Sequence, residues 1–353
     1  MRPAVRRAAL VALASWGIHA AMPAQGAAPS VPSVLHEAAI VTQRALDAAM
    51  LGVVRAGDRL VAAGERGIVL YSDDAGRTWA QARVPVQVTL TALRFVDGRT
   101  GWAVGHLGVI LRSDDAGATW RLQLDGVRAA AQALDAAQAG GDAETIAKAR
   151  RLVEDGPDKA FFDVDFADAR NGLAVGAYGM AFATEDGGTH WRPVSGRLSN
   201  ARGAHLYGVR FSGERVVVVG EQGLLLRSDD RGSTFAALPS PYKGSLFGIV
   251  VAHDGTWLAF GLRGNAFRST DAGVSWQRVD TELPLSISAG VDLGDSRLAL
   301  LSQNGDVLAS RDGGRSFRRQ PAVEPTPATA MVATARGDLV IASLRGMRRR
   351  PAP

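Results

Sequence analysis

A chain of 353 residues with 46% hydrophobic side chains is ample for a packed core, and its formal charge of +5 rests on 40 basic against 35 acidic residues. It contains no cysteine, which excludes disulfide frameworks and thiolate metal sites and leaves packing to hold the fold. Its 41 glycines favour turns and short strands over long helices.

Arg2, Arg6 and Arg7 precede an apolar stretch from Ala8 to Trp16, and small residues follow near Ala24 and Gly26. That order reads residues 1–26 as a Sec-type secretory signal, so a periplasmic or secreted protein is expected. The apolar part is short for a membrane span; retention as an anchor is the alternative. Losing the leader removes three arginines and no acid, leaving a mature charge near +2. So weak a surplus gives no reason to expect a nucleic-acid partner. Residues 27–50 read as a linker, with Val34 to Met50 forming a helix or a strand that could close a ring.

From residue 51 a repeat takes over. Its marker is Ser113-Asp114-Asp115-Ala116-Gly117-Ala118-Thr119-Trp120, with five near-copies ending at Trp79, Trp191, Phe235, Trp276 and Phe317. Successive closing aromatics are 41, 71, 44, 41 and 41 residues apart, so one interval carries an insertion of about 30 residues. The hydroxyl at the first position and the aspartate at the third (Asp74, Asp115, Asp186, Asp230, Asp271, Asp312) suit hydrogen bonds to backbone N–H groups across a tight turn. Glycine at the fifth position supplies a conformation that a side chain resists. The aromatic then buries a large surface under the turn. Six aspartates in one setting cannot all be an active site, so the box reads as structural. The third copy, with Thr184 first and His190 seventh, is expected to form an altered turn. The pattern resembles the Asp-box of the bacterial neuraminidase-type repeat families, in which it is structural.

A unit reads as an apolar strand (Leu93, Phe95), a turn, a second strand (Trp102 to Val104), the turn Gly105-His106-Leu107-Gly108, a third strand (Val109 to Arg112), the box and a fourth strand. Four short strands per period is one propeller blade. The inner G-x-x-G turn recurs at Gly64, Gly105, Gly176, Gly220 and Gly261, with Ser302 replacing the first glycine in the sixth unit. Strands near Met331 and Leu339, before Ser343-Leu344-Arg345-Gly346, make a seventh unit without a box. The expectation is an all-β, seven-bladed propeller over residues 51–347, its last blade completed from the N-terminal side. The insertion, 122–160, reads as a helical hairpin in which Asp142 caps the second helix and Gly156-Pro157 stops it. Residues 348–353, with three consecutive arginines, read as a frayed basic tail that could touch anionic headgroups.

Up-and-down strands put the hairpin and the G-x-x-G turns on the face opposite the boxes. Variable polar tips on a constant scaffold are where recognition sits. Partner-binding candidates there are Arg66, His106, Tyr178, Glu221, Arg263 and Arg345. The bland alternative is that each is an ordinary solvated turn residue. The units resemble the photosystem II stability and assembly factor family of seven-bladed propellers, including relatives in non-photosynthetic bacteria. That resemblance implies an exported, non-enzymatic scaffold with a membrane-protein client, and carries the family's arginine patch onto Arg66, Arg263 and Arg345. Outside phototrophs, a periplasmic transport complex is the alternative client. No cofactor or catalytic residue is expected, and a monomer is. The scattered histidines lack metal-ligand spacing. The competing reading is a sialidase-like or other glycoside hydrolase, for which Glu65 and Glu221 are the obvious carboxylates.

Overall fold

The computed structural model describes residues 31–353; the expected leader and its boundary at Gly26 lie outside them. Seven antiparallel sheets follow in chain order. Blade 1 comprises β1 (Met50–Ala56), β2 (Arg59–Gly64), β3 (Val69–Ser72) and β4 (Ala80–Gln81), and blade 2 comprises β5 (Leu90–Phe95), β6 (Gly101–Gly105), β7 (Ile110–Ser113) and β8 (Arg121–Leu124). The first strands of blades 3 to 7 are β9 (Phe161–Phe166), β13 (Leu206–Ser212), β17 (Leu246–Val251), β21 (Ile287–Gly294) and β25 (Ala328–Ala333). Each first strand lies against the next and β25 lies against β1, so the seven blades close into a ring around a channel. The chain is a seven-bladed β-propeller.

Between blades the cores are continuous. Trp102 of blade 2, fully buried, stacks on Phe166 of blade 3 with ring centroids 3.6 Å apart. Burying one such side chain contributes about 2 to 3 kcal/mol, so the inter-blade seams carry much of the stability.

Each box is held in the same way. Ser113 Oγ donates to Asp115 Oδ1 (2.8 Å) and accepts from the Gly117 N–H (2.9 Å), while the Thr119 N–H and hydroxyl both donate to the carboxylate (2.9 and 2.6 Å). Gly117 needs to be glycine because its φ is +82° and an added Cβ would stand 2.9 Å from Val61. The third box does not differ as its sequence implies. Thr184 replaces the serine, and His190 Nδ1 sits 2.7 Å from Asp186 Oδ2 where the other copies have a hydroxyl. An imidazole reaches the same oxygen, so the turn is kept.

Two expectations about chain ends are corrected. No N-terminal strand joins blade 7 among the described residues; its three strands are β25, β26 (Leu339–Ser343) and β27 (Gly346–Arg350). Residues 31–49 form neither a long helix nor a strand, because blade 1's outer linker competes for their backbone. Ala39 donates to the Val84 carbonyl (2.9 Å) and Thr42 to Gln81 Oε1 (3.0 Å). Blades 7 and 1 join instead through packing of Met50, Leu60 and Leu70 against Val340 and Ala342, and through Thr329 Oγ1 donating to the Met50 carbonyl (2.7 Å). Nor is the basic end frayed: Arg348, Arg349 and Arg350 pair with Ile341, Val340 and Leu339 inside β27.

The insertion folds as α1 (Gly126–Gly140) and α2 (Ala143–Asp155). Asp125 caps α1 by accepting from the Arg128 N–H, and Asp142 caps α2 by accepting from the Thr145 N–H. Gly126 lies directly against the Leu107-Gly108 turn, which places the hairpin base on the G-x-x-G face.

Candidate protein-binding face

The turn face is built by one repeated hydrogen bond. In blade 1 the Glu65 N–H donates to the Ala49 carbonyl (2.9 Å), in blade 2 His106 to Thr89 (2.9 Å), and in blade 4 Glu221 to His205 (2.9 Å). The approach is so close that a Cβ on Gly64 would meet the Ala49 oxygen at 2.1 Å. The third turn residue is pushed into the left-handed region: φ is +53° at Arg66, Leu107, Tyr178 and Gln222, and +56° at Arg263. Strained, outward tips held by a rigid ring are the expense of presenting side chains in fixed places.

Arg66, His106, Tyr178, Arg263 and Arg345 are exposed on these tips. Among the described residues, no carboxylate forms an ion pair with Arg66, Arg263 or Arg345. The three belong to blades 1, 5 and 7, one arc of the mouth. Glu221 has a different use. Its carboxylate accepts from the His205 N–H (3.2 Å), as Glu65 accepts from Ala49 (2.9 Å), so both brace the linker entering their own blade.

Sequence reading missed the other arc. Every first strand carries a bulge at its second residue, seen where pairing skips from Met50 to Gly52, Leu90 to Ala92, Leu206 to Gly208 and Leu246 to Gly248. A bulge re-aims a side chain. Phe162, Tyr207 and Phe247, from blades 3, 4 and 5, all line the channel at this position. Phe162 and Tyr207 are 5.6 Å apart by ring centroid, Tyr207 and Phe247 5.5 Å. His205 joins them to the turn tip: its ring lies 4.7 Å from Tyr178 and 5.9 Å from Phe162, and its Nδ1 accepts from the Tyr178 N–H. The equivalent residues Thr91, Ser288 and Thr329 turn their hydroxyls onto backbone carbonyls of their own sheets. The mouth is therefore aromatic on blades 3 to 5 and cationic on blades 5, 7 and 1. The signal was present as an aromatic second residue in three aligned strands, but it has meaning only once the bulge is seen.

Inside, the channel encloses about 520 Å³. Its acids are already paired. Arg210 donates to Asp163 Oδ2 at 2.5 Å, and His253 Nδ1 lies 2.6 Å from Asp292. Behind the wall, burial pushes the Asp165 carboxyl up; Arg94 Nε lies 2.7 Å away without hydrogen-bond alignment, and the Phe211 N–H donates to the other oxygen (2.7 Å). These pairs tie blade 2 to blade 3, blade 3 to blade 4 and blade 5 to blade 6.

The fold and repeat define an Asp-box propeller of the neuraminidase-repeat type, with one face of fixed turns and one of variable tips. A family model described as photosynthesis system II assembly factor YCF48 matches residues 143–280. Over that stretch the chain resembles the photosystem II assembly factors. It is 30% identical over 127 residues to the photosystem II assembly lipoprotein Ycf48 of Synechococcus sp. (strain CC9902), a match covering 34% of this chain and 37% of that relative. The match thus spans little more than a third of the curated relative's length. A solved structure of YCF48 bound to D1 peptide superposes with a TM-score of 0.65 at 16% identity, covering 90% of this chain and 96% of that one. The GH74 xyloglucanase from Xanthomonas campestris gives 0.61 at 14% identity, covering 85% of this chain and 52% of its own. Likeness at such identities is a likeness of fold, shared by binding proteins and hydrolases alike.

Proposed function

We propose that this protein is an exported, non-enzymatic assembly scaffold, similar in role to the photosystem II assembly factors, which holds an extended segment of a membrane-protein client across its turn face. The observation that carries this reading is the divided mouth. Phe162, Tyr207 and Phe247 offer an aromatic wall, and Arg66, Arg263 and Arg345 offer cations with no described acid partner. A peptide crossing it would set apolar side chains against the first and carboxylates against the second. The YCF48 structure with a bound D1 peptide supports a peptide client. That Glu65 and Glu221 are both engaged in bracing backbone supports a non-catalytic face.

Affinity capture from a membrane extract, read by mass spectrometry, tests the proposal. The triple variant R66E/R263E/R345E is expected to lose at least tenfold in client recovery while its thermal unfolding stays near that of the parent; undiminished recovery contradicts the assignment. Release of sugar from a chromogenic glycoside panel, abolished in E221Q, would replace this reading with hydrolysis.

A further inference from the structure

Among the described residues, six sheets have a fourth strand and the seventh does not. In blades 1, 3 and 4 the third strand's first carbonyl accepts a backbone N–H from the residue that follows the fourth strand: Ala82 to Val69, Val194 to Ala181 and Leu238 to Leu225, each at 2.9 Å. Register places Met347 at the equivalent position, since it pairs with Ala342 as Val69 pairs with Ala63. No fourth strand among the described residues reaches the Met347 carbonyl. It receives instead the guanidinium of its own neighbour, Arg348 Nη1, at 3.2 Å. Because strand residues alternate in hydrogen-bonding direction, Met347 and Arg349 both turn their N–H and C=O groups to this edge. It is a sheet edge with unmet pairing capacity.

The surroundings specify what could occupy it. Leu344 and Leu46 remain 47% and 49% exposed, and the Leu46 carbonyl lies against Gly346 at the start of β27. Val323 is wholly exposed in the linker whose Gln320 and Pro321 carbonyls accept from Arg350. Arg348 is exposed and has no described carboxylate partner, whereas Arg349 pairs with Asp338. The edge is thus apolar and cationic at once. A second copy of this chain is a poor partner, since edge-to-edge pairing would oppose arginines to arginines.

We propose that the edge of β27 docks an extended acidic segment of a partner protein, which adds to blade 7 as its fourth strand. Main-chain hydrogen bonds would supply affinity, and alternating apolar and carboxylate side chains would supply selectivity. The site is separate from the aromatic mouth and does not depend on the function proposed above.

The test uses the full chain and an acetylated ten-residue peptide of alternating valine and glutamate, followed by hydrogen exchange and fluorescence anisotropy. Exchange at the Met347 and Arg349 amides is expected to slow at least tenfold and saturably on adding peptide. Methylating alternate peptide nitrogens in one register, or introducing R348E, is expected to raise the peptide concentration needed for this protection at least tenfold; R66E/R263E, which alters the mouth, should leave the protection of these two amides unchanged. Three results would overturn the proposal. One is no protection at millimolar peptide, and another is equal binding of the methylated peptide. The third is protection already present without peptide, whether independent of protein concentration, as occupation by residues 1–30 would give, or dependent on it, as pairing between copies would give.

Discussion

The two faces of the ring solve opposite problems with the same economy of turns. On the box face, six turns carry nearly identical side chains, and each hydroxyl, carboxylate and amide of the motif is consumed by its own turn. On the other, the backbone is equally regular but the tips differ from blade to blade. Repetition of chemistry marks scaffold; repetition of geometry with varied chemistry marks recognition.

The sharpest way to break that contrast is to damage a box. Gly117→Val forces a β-branched residue to a φ of +82° and against Val61. A loss of about 3 kcal/mol is expected in urea unfolding, with client binding by the remaining folded protein unchanged. A box substitution that removed binding at full stability would reverse the assignment of the faces.

Acid is the next lever. Hydrogen bonds from Ser228 and Thr234 hold Asp230 down to about 2, and those from Ser275 hold Asp271 there too. A carboxylate depressed in the folded state stabilises above its ordinary value near 4 and loses that contribution as pH falls toward the folded value. Thermal midpoints should therefore be steady above about pH 5 and drop between about pH 4 and 2. D271N should flatten part of that drop.

On the recognition face, trimming the aromatic arc with F162A/Y207A should weaken client binding by about tenfold, or roughly 1.4 kcal/mol. If the arc only packs the channel wall, stability will fall instead and affinity will not. The smallest effect is expected at the box that departs from the pattern. His190→Ser restores the common hydroxyl at the Asp186 oxygen, and a change within about 0.5 kcal/mol is expected because one donor replaces another.

What sequence could reveal follows the same division. The box was legible because its requirements are local: a positive φ at Gly117 and a carboxylate within four residues of every donor it accepts from. The turn face was legible as a place, since alternating strands fix the side on which each loop emerges. Its chemistry was less so. Glu221 reads as a free acid until the His205 N–H is found beside it, and the aromatic arc needs bulges that no periodicity announces. The chain ends were misread for a related reason. Three consecutive arginines look like a solvated tail, but β27 needs its backbone, not its side chains, to pair. The N-terminal segment found its hydrogen bonds on blade 1's linker, a long-range outcome with no local signature.

The central claim is that the client is held by the turn face and not by the box face. Hydrogen exchange across the whole ring, with and without captured client, tests it most directly. Slowed exchange is predicted at the turns 64–67, 176–179 and 261–264 and along the second residues of the inner strands, with none at the boxes 72–79, 113–120 and 269–276. Protection concentrated in the boxes, with the turns unaffected, would contradict the account.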